Sequence, residues 1–290
     1  MSNETTTVPA TDTEESDGFF RRVIDAIGVD NLTLIFAIFA LLFLIIFVSG
    51  WFGYDGGDKF LSWQNLMNSL ATAIVIVGLL AIGETVVIIA GALDISVGSI
   101  ASIGSVVAAS FLVGAGTFGM LSFLPTGNVF FSVLMGMLAG VICGVINGFI
   151  VTVLKVNPII ATLGTLAAFG GIAFLIAPEG KPVGVMTQPQ FTWLAQGRFM
   201  TELPIPQLGN TDWPGIPVLT VILLVVVLVA HFLMTFTDFG RAIYAIGGND
   251  VAARLAGINL SRVRMYMYMF CGAVAGLAGV LLTARTTSGN

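Results

Sequence analysis

Charged residues are scarce in this sequence. Asp, Glu, Lys and Arg make up only 9% of its 290 residues, whereas hydrophobic residues make up 57% and the mean hydropathy is +1.00. Soluble domains carry about a quarter charged residues, so the composition excludes an ordinary soluble protein and predicts a membrane protein. The bases form no patch and the isoelectric point is near 4.7, which excludes nucleic acid as a partner.

Cysteine and histidine are almost absent. Cys143 and Cys271 fall inside apolar runs, so the sequence offers neither a disulfide framework nor a Cys-x-x-Cys metal site. His231 is the single histidine, and we predict no metal ion and no histidine-based catalytic triad. The sequence also lacks a GxxxxGK[ST] phosphate loop, paired catalytic carboxylates and a GxSxG elbow. We therefore expect no catalytic residues, no ATP site and no cofactor in this chain.

The net charge of −5 belongs to one end of the chain. Residues 1–30 contain seven acids and two bases, and the remainder contains nine of each. The beginning of this segment has almost no apolar residues and several acids, a composition that cannot form a packed core. We predict a disordered acidic cytoplasmic tail over 1–30 and a transmembrane domain over 31–290.

Apolar runs dominate the rest of the sequence. Seven of them approach the length of about 20 residues that a helix needs to cross a bilayer. The first run lacks a small-x-small cleavage site and is interpreted as a membrane helix, not a signal peptide. The prediction is an all-α polytopic bundle of about seven spans. The runs lie at 32–48, 66–89, 100–115, 129–154, 159–177, 218–236 and 265–284.

Lysine and arginine predict the orientation of this bundle. With a cytoplasmic N-terminus and alternating spans, seven bases lie on the inner side and four on the outer side, as the positive-inside rule requires. All four tryptophans then lie on the outer side, where they fit an interfacial belt. A proline-rich, aromatic outer loop over 178–217 and an inner loop over 237–264 are the longest connections.

Glycine recurs every fourth residue in two of the runs. The first set is Gly136, Gly140, Gly144 and Gly148, and the spacing returns at Gly272 and Gly276. Small residues at this spacing let helix backbones approach closely in lipid. These two runs are therefore expected to pack against other helices.

The inner loop contains NDVAARLAG at 249–257, which predicts a short capped helix. Asn249 is a favoured N-cap, and Asp250 lies in the first turn, where the helix dipole stabilises an anion. Gly257 can end the helix in the left-handed conformation. The alternative is a plain amphipathic connector, since short alanine-rich helices are common. Good helix formers lie between the two ends, including Ala252, Ala253 and Arg254.

Four segments together resemble one family. The NDVAARLAG segment resembles the cytoplasmic coupling loop of ABC-importer permeases, with an acid, two alanines and a glycine in the motif positions. GALDISVGS at 91–99, NPIIATLGTL at 157–166 and GAVAGLAGVLLTAR at 272–285 follow the order of the ribose-type, monosaccharide branch. Ala92 stands where that branch usually has a second glycine. Members also continue with further helices, so we expect the end at Asn290 to mark a fragment, missing helices or helices supplied by another chain.

The resemblance implies a permease subunit of an ATP-driven importer for a monosaccharide or a related small polyol, located in the cytoplasmic membrane. It implies a cytoplasmic ATPase that carries the ATP, an extracytoplasmic substrate-binding protein, and a second permease copy or a paralogue. The residues implied in ATPase coupling are Asn249, Asp250, Ala252, Ala253, Arg254 and Gly257.

Polar residues in or beside the apolar runs are candidates for the translocation path or its gate. Glu84 and Asp94 are costly there unless they are paired or face water. Asp94 and Ser96 either hold a gate at a helix break or cap the helix that begins near Ser96. The remaining candidates bind a polyol or, as we favour, other helices. They are Asn147, Asn157, Thr162 and Thr165.

Two other functions compete with the importer subunit. An ion-coupled secondary transporter would use Glu84 or Asp94 and would work without ATP. A truncated, non-transporting membrane subunit would assemble with partners and move no solute.

Overall fold

The computed structural model describes residues 29–51, 60–114, 127–186, 188–208 and 211–289. Most of the predicted acidic tail, residues 1–28, lies outside this part of the chain. The structure divides into two units. The smaller one contains α1 (Val29–Trp51), an apolar helix at the first predicted span.

The larger unit comprises residues 63–207 and 211–290 and contains the other helices. A π-helical turn (Asn65–Leu70) runs directly into α2 (Ala71–Ile89). The remaining helices are α3 (Val97–Val113), α4 (Val129–Thr152), α5 (Pro158–Ile176), α6 (Pro189–Gln196), α7 (Val218–Phe236), α8 (Asp238–Gly248), α9 (Asp250–Leu255) and α10 (Leu260–Thr286). Two short antiparallel pairs join β1 (Val183–Gly184) to β4 (Ser288–Gly289) and β2 (Arg198–Phe199) to β3 (Ile216–Pro217).

The helix positions confirm an all-α polytopic membrane protein. Among the described residues, five helices are long and apolar enough to span a bilayer: Asn65–Ile89, α4, α5, α7 and α10. Helix α3 is shorter, with 17 residues, because the chain is not helical between Ala90 and Ser96. The total number of spans and the cytoplasmic N-terminus stay predictions.

Helix α10 is the centre of the larger unit. In its most apolar 18-residue window 72% of the residues are buried, against 17% for α7. It packs against α2, α3 and α4, and the apolar cores between these helices include Val274, Ala278 and Leu281. Helix α7 instead exposes most of its apolar surface, as expected for a helix that faces lipid.

The α4–α10 interface confirms the glycine prediction. A β-carbon at Gly140 would overlap the carbonyl oxygen of Gly272, and one at Gly276 would lie 2.7 Å from the carbonyl oxygen of Gly136. Real β-carbons essentially never come that close to another atom. The two backbones therefore touch along this stripe, and no larger residue fits without moving a helix.

The outer loop folds against the start of α2. The Trp63 and Trp213 rings meet edge to face with centroids 4.9 Å apart, and the Trp63 indole donates to the Pro206 carbonyl at 2.8 Å. Arg198 donates to the side-chain oxygen of Asn68 and, at 3.3 Å, to the Pro214 carbonyl. Segments predicted to share the outer side thus lie at one end of this unit.

Candidate translocation and coupling site

The chain breaks its helical path between α2 and α3. Gly91 has φ of +75°, and the amides of Gly91 and Ala92 donate to the carbonyls of Ile88 and Val87 at 2.9 and 3.1 Å. This pattern is a Schellman C-cap, which places a residue in the left-handed region and so favours glycine. It ends α2 and leads the chain to Asp94 in the middle of the break.

Asp94, Ser96 and Asn147 form a buried polar cluster across the break. Their exposed fractions are 1%, 0% and 0%. One carboxylate oxygen of Asp94 accepts from the Ser96 amide at 3.0 Å and from the Ser96 hydroxyl at 2.6 Å. The Asn147 amide nitrogen donates to both carboxylate oxygens, at 3.3 and 3.2 Å, and to the Ser96 hydroxyl at 2.8 Å. The cluster therefore ties the break to α4.

Glu84 extends this cluster along α2. One of its carboxylate oxygens, Oε1, accepts from the Asp94 amide at 3.0 Å. Within the described part of the chain its other oxygen is buried without a hydrogen-bond partner, and so are Asn147 Oδ1 and the Tyr268 hydroxyl. Unpartnered buried polar atoms are costly, so these three offer hydrogen-bonding capacity to a polar ligand or to water.

The other predicted path residues lie apart from this cluster. Asn157 is exposed and caps α5 by accepting from the Ile159 amide at 3.0 Å. Thr162 and Thr165 are buried, and their hydroxyls donate to carbonyls of their own helix, those of Pro158 at 2.9 Å and Thr162 at 3.2 Å. Such bonds satisfy the hydroxyls locally.

Tyr268 was not among the predicted site residues. It is fully buried on α10, and its hydroxyl has no partner among the described residues. A buried tyrosine usually finds a partner for its hydroxyl. A tyrosine in the middle of a glycine-packed helix was the available signal, but only the fold brings α10 beside the Asp94 break.

The inner loop forms the predicted capped helix α9. The Asn249 side chain accepts from the Ala252 amide at 3.0 Å. At the other end Gly257 has φ of +86°, and the amides of Gly257 and Ile258 donate to the carbonyls of Arg254 and Ala253 at 3.0 and 3.1 Å. Helix α9 thus ends with the same Schellman cap as α2.

Helix α9 has one buried side and one exposed side. Ala253 is 4% exposed and packs in a small cluster with Ile246 and Leu260. Val251 and Leu255, four residues apart, are 63% and 84% exposed. Asp250 lies 3.9 Å from Arg264, which links the helix to α10. Large apolar side chains therefore point away from the bundle on an anchored helix.

Helix α8 connects this exposed helix to the α2–α3 break. A β-carbon at Gly247 would overlap the carbonyl oxygen of Ile89, the last residue of α2. The adjacent Gly248 has no atom within 4 Å of such a position. The backbones of α8 and α2 are thus in direct contact two residues before Gly91, the left-handed residue of the Schellman cap.

The fold and these sites define a polytopic helical membrane protein with polar groups inside its bundle, the class to which membrane transporters belong. The family described as the branched-chain amino acid transport system / permease component matches residues 66–290, and the chain belongs to this family.

Several curated relatives are sugar-transport permeases. The ribose import permease protein RbsC of Bacillus subtilis (strain 168) is 36% identical over 231 residues, which is 79% of this chain and 63% of that protein. The L-arabinose transport system permease protein AraH of Escherichia coli (strain K12) is 32% identical over 272 residues, 93% of this chain and 70% of its own length. The probable ABC transporter permease protein YphD of the same strain is 34% identical over 274 residues, which is 94% of this chain and 70% of that protein. No solved structure matches the chain.

Proposed function

We propose that this chain is the membrane-spanning permease subunit of an ATP-binding-cassette importer that moves a monosaccharide or a related small polyol across the cytoplasmic membrane. It carries out no covalent chemistry. ATP binds to a separate cytoplasmic ATPase, an extracytoplasmic binding protein delivers the sugar, and a second permease copy or a paralogue completes the path. The family match and the names of the ribose and arabinose relatives support the transport class and the sugar class.

The exposed face of α9 carries the proposal. Apolar side chains as exposed as Val251 and Leu255 on a rigidly capped helix are typical of a surface that a partner covers. The small, exposed Ala252 keeps this side of the helix narrow enough to enter a cleft, whereas the buried Ala253 lets α9 pack closely on Ile246 and Leu260. Asn249 and Gly257 fix its two ends, and Asp250 and Arg254 supply its charges.

A physical path leads from α9 to the bundle. Helix α8 precedes α9 with only the Asn249 cap between them, and Gly247 contacts the end of α2. A displacement of α9 by the ATPase would therefore move the Schellman cap at Gly91 and the Asp94 cluster behind it. We assign this chain of contacts to the switch between inward-open and outward-open states.

Within the bundle the polar cluster divides into two roles. Asp94 bonds Ser96 through one carboxylate oxygen and Asn147 through both, and we assign Asp94 and Ser96 to holding the helix break in place. Glu84, Asn147 and Tyr268 keep unpartnered atoms among the described residues, and we assign these to hydroxyl groups or water on the translocation path. Asn157, Thr162 and Thr165, which bond their own helix, have supporting roles beside that path.

Thiol labelling tests the coupling assignment. Both native cysteines are buried, so Leu255→Cys introduces a selectively reactive thiol in the otherwise native chain. We expect a maleimide to label this thiol rapidly and the ATPase to protect it at least tenfold. The matched control is Met186→Cys, which replaces a side chain that is 80% exposed at the other end of the unit; its labelling should not change. Equal labelling of Leu255→Cys with and without the ATPase would refute the assignment.

A backbone variant tests the same helix without touching its face. At Gly257, φ is +86° and no atom lies within 4 Å of the position that a β-carbon would take, so Gly257→Val acts through backbone strain alone. We expect the variant to reach the membrane and to lose co-purification with the ATPase. Full co-purification with normal uptake would show that α9 is a connector only.

A further inference from the structure

A basic cavity lies beneath α9 at the inner end of the bundle. Its volume is about 390 Å³, and its polar lining comes from four separate parts of the chain, the first being Thr152 at the end of α4. Lys155 and Asn157 belong to the α4–α5 connection, Arg254 to α9, and Ser261 and Arg264 to the first turns of α10. These segments are far apart in sequence, so the fold alone assembles the cavity.

The charges in this cavity are unbalanced. Lys155, Arg254 and Arg264 line it, and no carboxylate does. Arg264 has Asp250 at 3.9 Å, whereas Lys155 and Arg254 form no ion pair within the part of the chain that the structure describes. Three like charges around one cavity raise its electrostatic potential and attract an anion.

Backbone geometry adds to this positive potential. Helices α5 and α10 both begin at the cavity, with Pro158 and Leu260 in its lining. The amino-terminal end of a helix carries partial positive charge and favours anions such as phosphate. The carboxyl end of α4, which carries partial negative charge, also reaches the cavity through Val151 and Thr152, and the cation Lys155 follows it in the connection to α5. Lys155 has φ of +58°, a conformation that L side chains rarely adopt.

An apolar groove adjoins the basic cavity. It has a volume of about 380 Å³ and shares Gly91, Ala92, Asn157 and Pro158 with the cavity. Its other lining residues are Ile88, Leu93 and Ile159, which are 52%, 39% and 43% exposed. A cationic cavity joined to an apolar groove on the surface of a membrane bundle matches the two parts of a phospholipid.

We propose that this composite site binds an anionic phospholipid. Its phosphate lies among Lys155, Arg254 and Arg264, and an acyl chain follows the groove beside Ile88 and Ile159. Basic pockets between membrane helices on the cytoplasmic side are suited to such headgroups. Because Arg254 is on α9 and Gly91 ends α2, the lipid bridges the coupling helix and the helix break. Binding is a property of this chain alone and does not depend on the ATPase or the sugar.

Native mass spectrometry of the purified full chain tests this site. The chain is titrated with phosphatidylglycerol or with phosphatidylcholine of the same acyl composition. We expect one phosphatidylglycerol to remain bound at least tenfold more tightly than phosphatidylcholine. Lys155→Gln combined with Arg254→Gln should reduce that preference about tenfold, since two charges beside an anionic headgroup are removed. Both side chains are exposed, so folding should be preserved.

The control removes the same charge outside the cavity. Arg241→Gln combined with Arg262→Gln changes two exposed inner-end bases that do not line it, and lipid preference should stay at the wild-type level. An equal loss in both double variants would overturn the site, because it would reflect net charge only. Displacement of the lipid by millimolar inorganic phosphate would overturn the lipid assignment, because the cavity would then recognise phosphate without the groove.

Discussion

The α4–α10 interface and the α8–α9 arm are both held through glycine, but to different extents. Along α4 and α10, a β-carbon at Gly136, Gly140, Gly144, Gly272 or Gly276 would collide with the facing helix. The arm has two such contacts to the bundle, at Gly240 to the Met234 carbonyl of α7 and at Gly247 to the end of α2, together with the buried Ile243, the small Ala253 cluster and one ion pair to α10. A continuous row of backbone contacts fixes α4 against α10, whereas the arm meets the end of α2 through one glycine, Gly247, and can transmit a displacement to the helix break there.

The largest effect is expected at the fixed interface. Gly140→Ala puts a β-carbon into the Gly272 carbonyl oxygen and within 2.9 Å of the Gly276 Cα atom. We expect a loss of about 3 kcal/mol in the free energy of unfolding, the upper range for overpacking. Reversible unfolding in mixed detergent measures it.

The matched control for this variant is Gly164→Ala. Gly164 lies on α5, where nothing is within 4 Å of a β-carbon. Alanine should stabilise that helix by about 0.5 kcal/mol, because it reduces the backbone freedom of the unfolded chain. Equal effects at the two positions would mean that α4 and α10 do not touch.

The next effect concerns the buried polar cluster. Asn147→Leu removes the amide that donates to both oxygens of Asp94, leaving the carboxylate only its Ser96 bonds. The expected cost is about 2 kcal/mol for a buried acceptor that loses its partner. Thr162→Val is the comparison, because it removes a buried hydroxyl that bonds only its own helix; less than about 1 kcal/mol should be lost. The same unfolding assay distinguishes them, and equal costs would contradict a tie between α4 and the break.

In the α8–α9 arm we expect a smaller loss of stability but a larger loss of the coupling between ATP hydrolysis and the helix break. Gly247→Ala pushes α8 away from the Ile89 carbonyl, and we expect about 1 kcal/mol of destabilisation. Substrate-stimulated ATP hydrolysis in the assembled transporter should fall at least fivefold, because α9 no longer moves the helix break. At Gly248, one residue along, no atom lies within 4 Å of a β-carbon. Gly248→Ala should therefore keep both the wild-type stability and the wild-type stimulation of ATP hydrolysis. Normal stimulation in Gly247→Ala would exclude this route of coupling.

The smallest effect is expected at the ion pair between Asp250 and Arg264. Their side chains are 52% and 31% exposed, and the charged atoms are 3.9 Å apart. Asp250→Asn should cost about 0.5 kcal/mol, as for other exposed pairs. Measuring unfolding at low and high salt tests this, since the difference between wild type and variant should shrink with salt. A larger, salt-independent loss would mean that Asp250 is part of the fixed core.

Features determined by neighbouring residues could be predicted from the sequence. The apolar runs indicated the helix positions, Asn249 and Gly257 indicated both ends of α9, and the glycine spacing identified α4 and α10 as packing helices. Each of these features depends on local backbone conformation or on the residues of one helix face, and both are visible as capping residues or as periodicity in the sequence.

Features determined by pairing between distant segments could not be predicted. Asn147 is 53 residues from Asp94, and nothing in its own helix reveals that partner. Helix α5 is also rich in glycine, with Gly164, Gly170 and Gly171, yet no atom lies within 4 Å of the positions that their β-carbons would take. Likewise, Lys155 and Arg254 line the same cavity only because the fold brings their segments together. Which helix faces a given residue depends on the tertiary fold and cannot be inferred from the residue's own segment.

Uptake into proteoliposomes tests the central claim most directly. The full chain is reconstituted with its ATPase and binding protein, and accumulation of labelled ribose and arabinose is measured with and without ATP. Leu255→Glu changes the face of α9, and Met186→Glu changes an equally exposed side chain at the other end. The account predicts ATP-dependent uptake that Leu255→Glu abolishes and Met186→Glu preserves. Uptake that an ion gradient drives without ATP, or that Leu255→Glu leaves intact, would contradict it.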